Sequence, residues 1–278
     1  GGGKDMSNGV VTVAPPDDPK DTVGTQKHFT DGRKVAFKET SARRRTPPLY
    51  GIGLLDNVPD GVLKALADPT DADKDGIRGI LNERGHPAGG VRPARFGHKA
   101  NESNLLRFIG AALFGEMGVT NRASRARPKD DDKVADPEAP IGYVARVDAY
   151  VRNLAPPPRG PITAAAKRGG GVFMTLGCTG CHRPVLGRLK GAFTDLLVHD
   201  LGPAVSDGLY DGKAGPTMWR TPALWGVRHK KRLLHDERAA DFDAALAFHG
   251  GEASKAAGRY RGLAKADRAA LKAFLASL

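Results

Sequence analysis

The stretch Cys178-Thr179-Gly180-Cys181-His182 decides how the rest of this chain is read. Two cysteines separated by two residues and followed at once by a histidine form the attachment signature of c-type haem. The thiols add to the two haem vinyl groups as thioethers, and the adjacent imidazole reaches the iron from the proximal side. A thioredoxin-like dithiol would want a βαβ setting, which the flanking sequence lacks. Zinc would need two further ligands, and only scattered histidines could supply them. The chain has 278 residues and no other cysteine, so a disulfide-rich scaffold and a four-cysteine zinc site are both excluded. The expectation is one covalent haem c on Cys178, Cys181 and His182.

Outward from that motif the chain reads as mostly α. Leu105, Phe108, Ile109, Ala112 and Leu113 recur at helical spacing over 103–116, and Val144, Val147, Val151 and Leu154 do so over 141–154. Pro156-Pro157-Pro158 stops the second helix, because consecutive prolines cannot donate backbone hydrogen bonds. That break divides the chain into residues 1–160 and 161–278. Beyond it a short helix runs from Ile162 to Leu176, loosened by Gly169-Gly170-Gly171. Few regular elements are expected over 183–240. A helix over about 265–277 closes the chain, with Leu271, Phe274, Leu275 and Leu278 on one stripe and Asp267 near its start. Residues 1–40 show little periodicity and read as an extended polar lead-in, and strand signals are weak throughout.

An internal echo links the two parts. Arg45-Thr46-Pro47-Pro48-Leu49-Tyr50-Gly51 returns as Arg220-Thr221-Pro222-Ala223-Leu224-Trp225-Gly226. Leu54-Leu55-Asp56 follows the first copy and Leu233-Leu234-His235-Asp236 follows the second, which suggests a duplicated unit. The first copy has no cysteine before it. The expected architecture is therefore a C-terminal cytochrome c-like haem domain behind a loop-rich, haem-less or truncated cytochrome-related half.

The sixth iron position separates electron transfer from ligand or peroxide chemistry. Its candidates are Met174, Met218, His199, His235 and His249. Met174 lies four residues before Cys178 and reads as core. Met218 sits in a Gly/Pro-rich loop that could reach the iron. His249 ends the apolar, helix-like Ala244 to Phe248, a placement that favours it. Arg220 could pair with a haem propionate through its planar fork, and Trp225 would then pack near the porphyrin edge, with a plain core role as the equal alternative.

The chain resembles the di-haem oxidoreductase (thiol oxidoreductase) family of the bacterial cytochrome c peroxidase/MauG superfamily. The resemblance rests on Arg45 to Leu54, Asp68 to Asp73, Arg95-Phe96-Gly97, Asp195 to Gly202, Trp219 to Gly226, Leu234-His235-Asp236 and His249-Gly250-Gly251-Glu252-Ala253. It implies a bis-histidine iron, His182 proximal and His249 distal. In the related peroxidases the distal ligand lies about fourteen residues beyond the His-Asp pair and is a methionine, and the same count from His235 reaches His249. Two departures stand out: the usual N-terminal Cys-x-x-Cys-His is missing, and the family's Arg-Phe-Gly-Trp ends in His98. A six-coordinate bis-His haem suits one-electron transfer at a lower potential than a His/Met haem.

The expected function is a single-haem electron-transfer cytochrome. The alternatives are a peroxidase or MauG-like oxidoreductase whose second haem lies outside this chain, and a cytochrome subunit of a larger respiratory or photosynthetic complex. The 43 Lys and Arg against 31 Asp and Glu leave a formal charge of +12, which would steer the protein toward an acidic redox partner or an anionic membrane surface. Nucleic acid is not expected, since no binding motif accompanies the charge and aromatics for base stacking are few. No run approaches the roughly 18 apolar residues of a membrane span. Attachment of haem to this motif normally follows export, which points to a periplasmic or exported protein.

One further motif is Asp71-Ala72-Asp73-Lys74-Asp75-Gly76, which matches the first half of a calcium loop, with Asp71, Asp73 and Asp75 as oxygen donors. The position of the bidentate glutamate holds Asn82, and Glu83 comes one place late. A solvated acidic turn is the competing reading.

Overall fold

The computed structural model describes residues 10–12, 23–28, 40–86, 88–124 and 133–278. The first elements are strands β1 (Val10–Thr12), β2 (Val23–His28) and β3 (Thr40–Arg45), which pair in that order as an antiparallel sheet. The extended lead-in expected over 1–40 is thus, in its described part, paired into a sheet. Strands of three to six residues are too short to show alternation, and it is pairing at a distance that satisfies their backbone groups. Arg45, the last residue of β3, donates its N–H to the His235 carbonyl at 2.6 Å, which ties the sheet to the C-terminal half.

Two short helices follow, α1 (Ile52–Asp56) and α2 (Asp60–Leu66), then a small hairpin of β4 (Glu83–Gly85) and β5 (Val91–Pro93). Helix α3 (Leu105–Met117) begins where the Asn104 side chain accepts the Arg107 N–H at 3.0 Å, and it ends at Gly118 in the left-handed conformation. Helix α4 (Ile141–Arg152) runs up to the triple proline. Leu63, Leu105, Val144 and Val151 are buried in the core beneath these helices, each stabilising it by about 2 kcal/mol. That core also takes Leu186, Leu196 and Trp225 from beyond residue 160.

Helix α5 (Ala164–Thr175) is capped by Thr163, whose hydroxyl accepts the Ala166 N–H at 3.1 Å. After it come the two-residue hairpin β6 (Val185–Leu186) and β7 (Leu189–Lys190), then β8 (Val198–Asp200) paired antiparallel with β9 (Met218–Arg220). Asp241 caps α6 (Phe242–Ala247), and α7 (Ser254–Arg261) and α8 (Lys265–Leu275) close the chain. Helices α5 and α8 cross at Gly169, where any Cβ would collide with the Ala270 carbonyl oxygen. Phe173, Phe193 and Phe274 fill the second core, with ring centroids 5.2–6.0 Å apart. Helix outweighs strand, as the mostly α reading expects.

The two repeat copies meet face to face. The Trp225 ring lies over Gly51, where a Cβ would come within 2.5 Å of it, and the Tyr50 hydroxyl lies over Gly226, where a Cβ would come within 2.7 Å. Both glycines have positive φ, +74° and +70°. Gly51 donates its N–H to the Leu154 carbonyl just after α4 at 2.7 Å, and Gly226 donates to the Leu278 carbonyl just after α8 at 2.8 Å. The echo in sequence is therefore an echo in packing.

Candidate haem site

Helix α5 stops at Gly177, whose φ of +86° a side-chain residue would adopt only with strain. The chain then makes one 3-10 turn over Cys178–Gly180, and the His182 N–H closes on the Cys178 carbonyl at 2.9 Å. That turn brings Cys178, Cys181 and His182 to the wall of one apolar cavity of about 490 Å³. Its size falls within the roughly 300–1,000 Å³ of ordinary cofactor clefts. Burial pushes the Cys178 thiol up to about 11 and raises Cys181 as well, so both are held as neutral thiols.

His249 lines the same cavity from the end of α6. The two imidazoles are set alike. His182 Nδ1 lies 3.0 Å from the Phe193 carbonyl, and His249 Nδ1 lies 2.8 Å from the Ala245 carbonyl. A carbonyl only accepts, so each Nδ1 carries the proton and each Nε2 keeps a lone pair for a metal. Burial lowers both histidines, His182 to about 4, and each is neutral near pH 7. Two neutral, Nδ1-anchored imidazoles facing one apolar cavity beside two thiols fit a haem.

Of the other candidates for the sixth position, two lie away from the cavity and two line it. Met174 is exposed on α5, and Met218 packs with Ala94, Ala100 and Val198; neither lines the cavity. His199 lines it but is held between two carboxylates, Asp195 at 2.9 Å and Glu252 at 2.8 Å. Burial works against its charge, yet hydrogen bonding to Asp195, then to Cys181 and Glu252, pushes its pKa up to about 12. An imidazolium has no lone pair to offer. His235 also lines the cavity, with its ring stacked on Trp219 at 3.6 Å between centroids.

Arg220, at the end of β9, lines the cavity as the sequence reading requires. Trp225 does not: it belongs to the first core, where its ring packs on Gly51 of the other copy. The porphyrin-edge role is thus corrected to a core role. The calcium reading also changes. Carboxylates of Asp68, Asp71 and Asp73 converge, whereas Asp75 accepts the Ile77 N–H at 2.6 Å and lies outside that group. Asp68 accepts the Ala72 N–H at 2.7 Å, and Asn82 is buried on the Lys99 and Asp211 carbonyls at 2.7 Å each. The loop thus caps its own backbone and also gathers three carboxylates within 4.8 Å of one another.

Sequence reasoning missed Arg45, His98 and Lys230, all of which line the cavity. Burial drops His98 to about 3, and its Nε2 lies 2.6 Å from the Arg45 carbonyl. Arg45 and Arg220 open the two repeat copies, so the repeat itself was the available signal for Arg45.

The family model described as "Di-haem oxidoreductase, putative peroxidase" matches residues 6–278. The chain belongs to the di-haem oxidoreductase family. Among solved structures, this di-haem oxidoreductase family member is similar to Kuenenia stuttgartiensis hydrazine synthase (15% identity, 90% of this chain and 76% of that one, TM-score 0.46). It is also similar to the diheme peroxidase BthA from Burkholderia thailandensis (16% identity, 97% and 94%, TM-score 0.42) and to a MauG-like protein associated with microbial copper homeostasis (16% identity, 89% and 95%, TM-score 0.44). No curated protein matches it. Among the described residues no helix is long and apolar enough to cross a membrane.

Proposed function

We propose that this chain is the electron-transfer part of a peroxidase or MauG-like di-haem oxidoreductase, carrying one covalent haem c with His182 and His249 as axial ligands. The family match favours this over a free-standing electron carrier, which was the first expectation from sequence. The observation that carries the axial assignment is the matched pair of Nδ1 anchors, at 3.0 Å on Phe193 and 2.8 Å on Ala245. When bound, the haem would supply a one-electron iron couple. The chain's own residues then hold both imidazoles in the coordinating tautomer, line the iron's surroundings with Phe173, Leu246 and Leu271, and keep water scarce. Both cysteines belong to one motif, so a second covalent haem would come from outside these residues.

Residues 161–278 act as the cytochrome c domain and residues 1–160 as its haem-less counterpart, a reading supported by the reciprocal Tyr50–Gly226 and Trp225–Gly51 packing. The physiological partner is an acidic redox protein or complex subunit, with the +12 charge as the steering term, and the compartment is the periplasm or beyond.

The test is a pyridine haemochrome assay with optical and EPR spectra of the holoprotein. One haem per chain is expected, low-spin and unresponsive to carbon monoxide. His249→Ala should turn the iron high-spin. Zero haem overturns the whole reading, and an unchanged His249→Ala spectrum moves the sixth ligand to another residue.

A further inference from the structure

The cations around the cavity are not spread evenly. Arg45 ends β3, Arg220 ends β9, and Lys230 follows the 3-10 turn after Gly226. All three line the same cavity, and the fields of Arg45 and Arg220 both act on Lys230. Like charges repel, so three cations gathered at a partly buried wall require an anion to offset them. The protein offers little. Arg45 is paired with Glu237 at 3.1 Å. Arg220 spends Nε on the Gly97 carbonyl at 2.9 Å and Nη1 on the Thr221 carbonyl at 3.1 Å, and no carboxylate among the described residues lies within ion-pair distance of it. No described residue pairs with Lys230 Nζ. Burial first, then Arg45 and Arg220, push Lys230 down to about 8, and burial pushes Arg220 down to about 10 despite the field of Asp195. Three cations and Glu237 leave two positive charges uncompensated beside an apolar cavity that fits a group carrying two carboxylates.

We infer that Arg45, Arg220 and Lys230 together form the receiver for the two haem propionates, so that the first repeat copy lends its arginine to the haem of the second. This rests on the haem reading above. It goes beyond a single arginine contact: equivalent positions of a duplicated segment converge on one cofactor, and the N-terminal half becomes part of the haem pocket rather than a mere docking surface. Carboxylates seated there meet charge-assisted donors in a poorly hydrated site, where such bonds are strong. The same cations also raise the cost of oxidising the iron, because the ferric form carries one more positive charge.

The experiment is potentiometry of the haem-loaded full chain, with resonance Raman spectra of the propionate bending modes. Lys230→Met should lower the ratio of reduced to oxidised haem at a fixed ambient potential about tenfold, roughly 59 mV for a one-electron couple. Arg45→Gln should move it the same way, and Lys230→Arg should stay near wild type. Lys190→Met, on the exposed β7 strand, should change nothing. In each charge-removing variant the propionate bands should shift. Unchanged potential and bands in both Lys230→Met and Arg45→Gln overturn the inference. So does a saturable shift of the wild-type potential on titration with inorganic phosphate, which would mark the cations as a site for a diffusible anion. The phosphate titration needs no variant, so it decides even if a substitution prevents folding. Failure of the haem reading is distinct: it shows as absent haem in the haemochrome assay.

Discussion

The two copies of the Arg-Thr-Pro segment differ in what they were left to do. Each places its glycine at positive φ under the other's aromatic ring, and each hands that glycine's N–H to a carbonyl just beyond a helix, Leu154 after α4 and Leu278 after α8. The second copy is fed by a Cys-x-x-Cys-His turn and surrounds the cavity with Arg220, Leu224 and Val227. The first has no such turn, and its helices α1 to α4 close instead on a dry apolar core that includes Trp225. The duplicated backbone thus packs in the same way around two different interiors, one apolar throughout and one lined by the Cys-x-x-Cys-His turn. To the cavity of the second copy the first contributes Arg45, Pro47 and Pro48.

The comparison can be broken most forcefully at the helix crossing that the haem half depends on. Gly169→Ala drives a methyl group into the Ala270 backbone, which has no side-chain freedom to yield, and should cost about 3 kcal/mol with loss of holoprotein. Denaturant unfolding with haem content measures it, and a wild-type midpoint would show that α5 and α8 do not cross there.

The reciprocal contacts give the sharper version. Gly51→Ala and Gly226→Ala should each cost about 2 kcal/mol, since both force a left-handed residue and both crowd an aromatic group. Adding Trp225→Phe should recover part of the Gly51→Ala loss and none of the Gly226→Ala loss. Equal recovery in both backgrounds would refute the pseudo-symmetric pairing.

A pH experiment separates the halves by their charges. His199 is raised in the folded protein from 6.5 to about 12, so the native state binds the extra proton across that range. Its contribution is complete below about pH 6.5 and is lost as pH rises toward 12. Unfolding free energies measured from pH 7 to 10 should fall with pH, and His199→Gln, although less stable at pH 7, should show a flatter fall. An unchanged slope would mean that Asp195 and Glu252 do not hold an imidazolium.

The smallest effect is expected at the acidic turn. Asp73→Asn, or addition of calcium or a chelator, should alter stability by less than about 0.5 kcal/mol, because the carboxylates cap one another's backbone at the surface. A large calcium-dependent rise in Tm would restore the calcium reading.

Much of the site was legible in the chain. Cys178, Cys181 and His182 fall within five consecutive residues, and a local motif is readable wherever it folds. Helices α3, α4, α5 and α8 were legible within a residue or two because their apolar spacing is itself the cause of their burial. The sheet of β1 to β3 was not, since pairing between short strands leaves no local trace. Trp225 stood between two readings, porphyrin edge and core, for a similar reason. A buried tryptophan beside a haem domain has two cores to choose from, and only the Gly51 contact decides between them.

The sequence by itself carried the family's haem-attachment motif, the helical class and the duplication, because each is written in neighbouring residues or in a repeated string. Only the tertiary structure decided that His249 and not Met218 shares a cavity with His182, and that His199 lies between Asp195 and Glu252. It alone gathered Arg45, Arg220 and Lys230, which lie as far apart in the chain as residues 45 and 230, on one wall. Tautomer, protonation and charge compensation depend on which carbonyl or carboxylate lies within about 3 Å, and that distance exists only after the chain has folded.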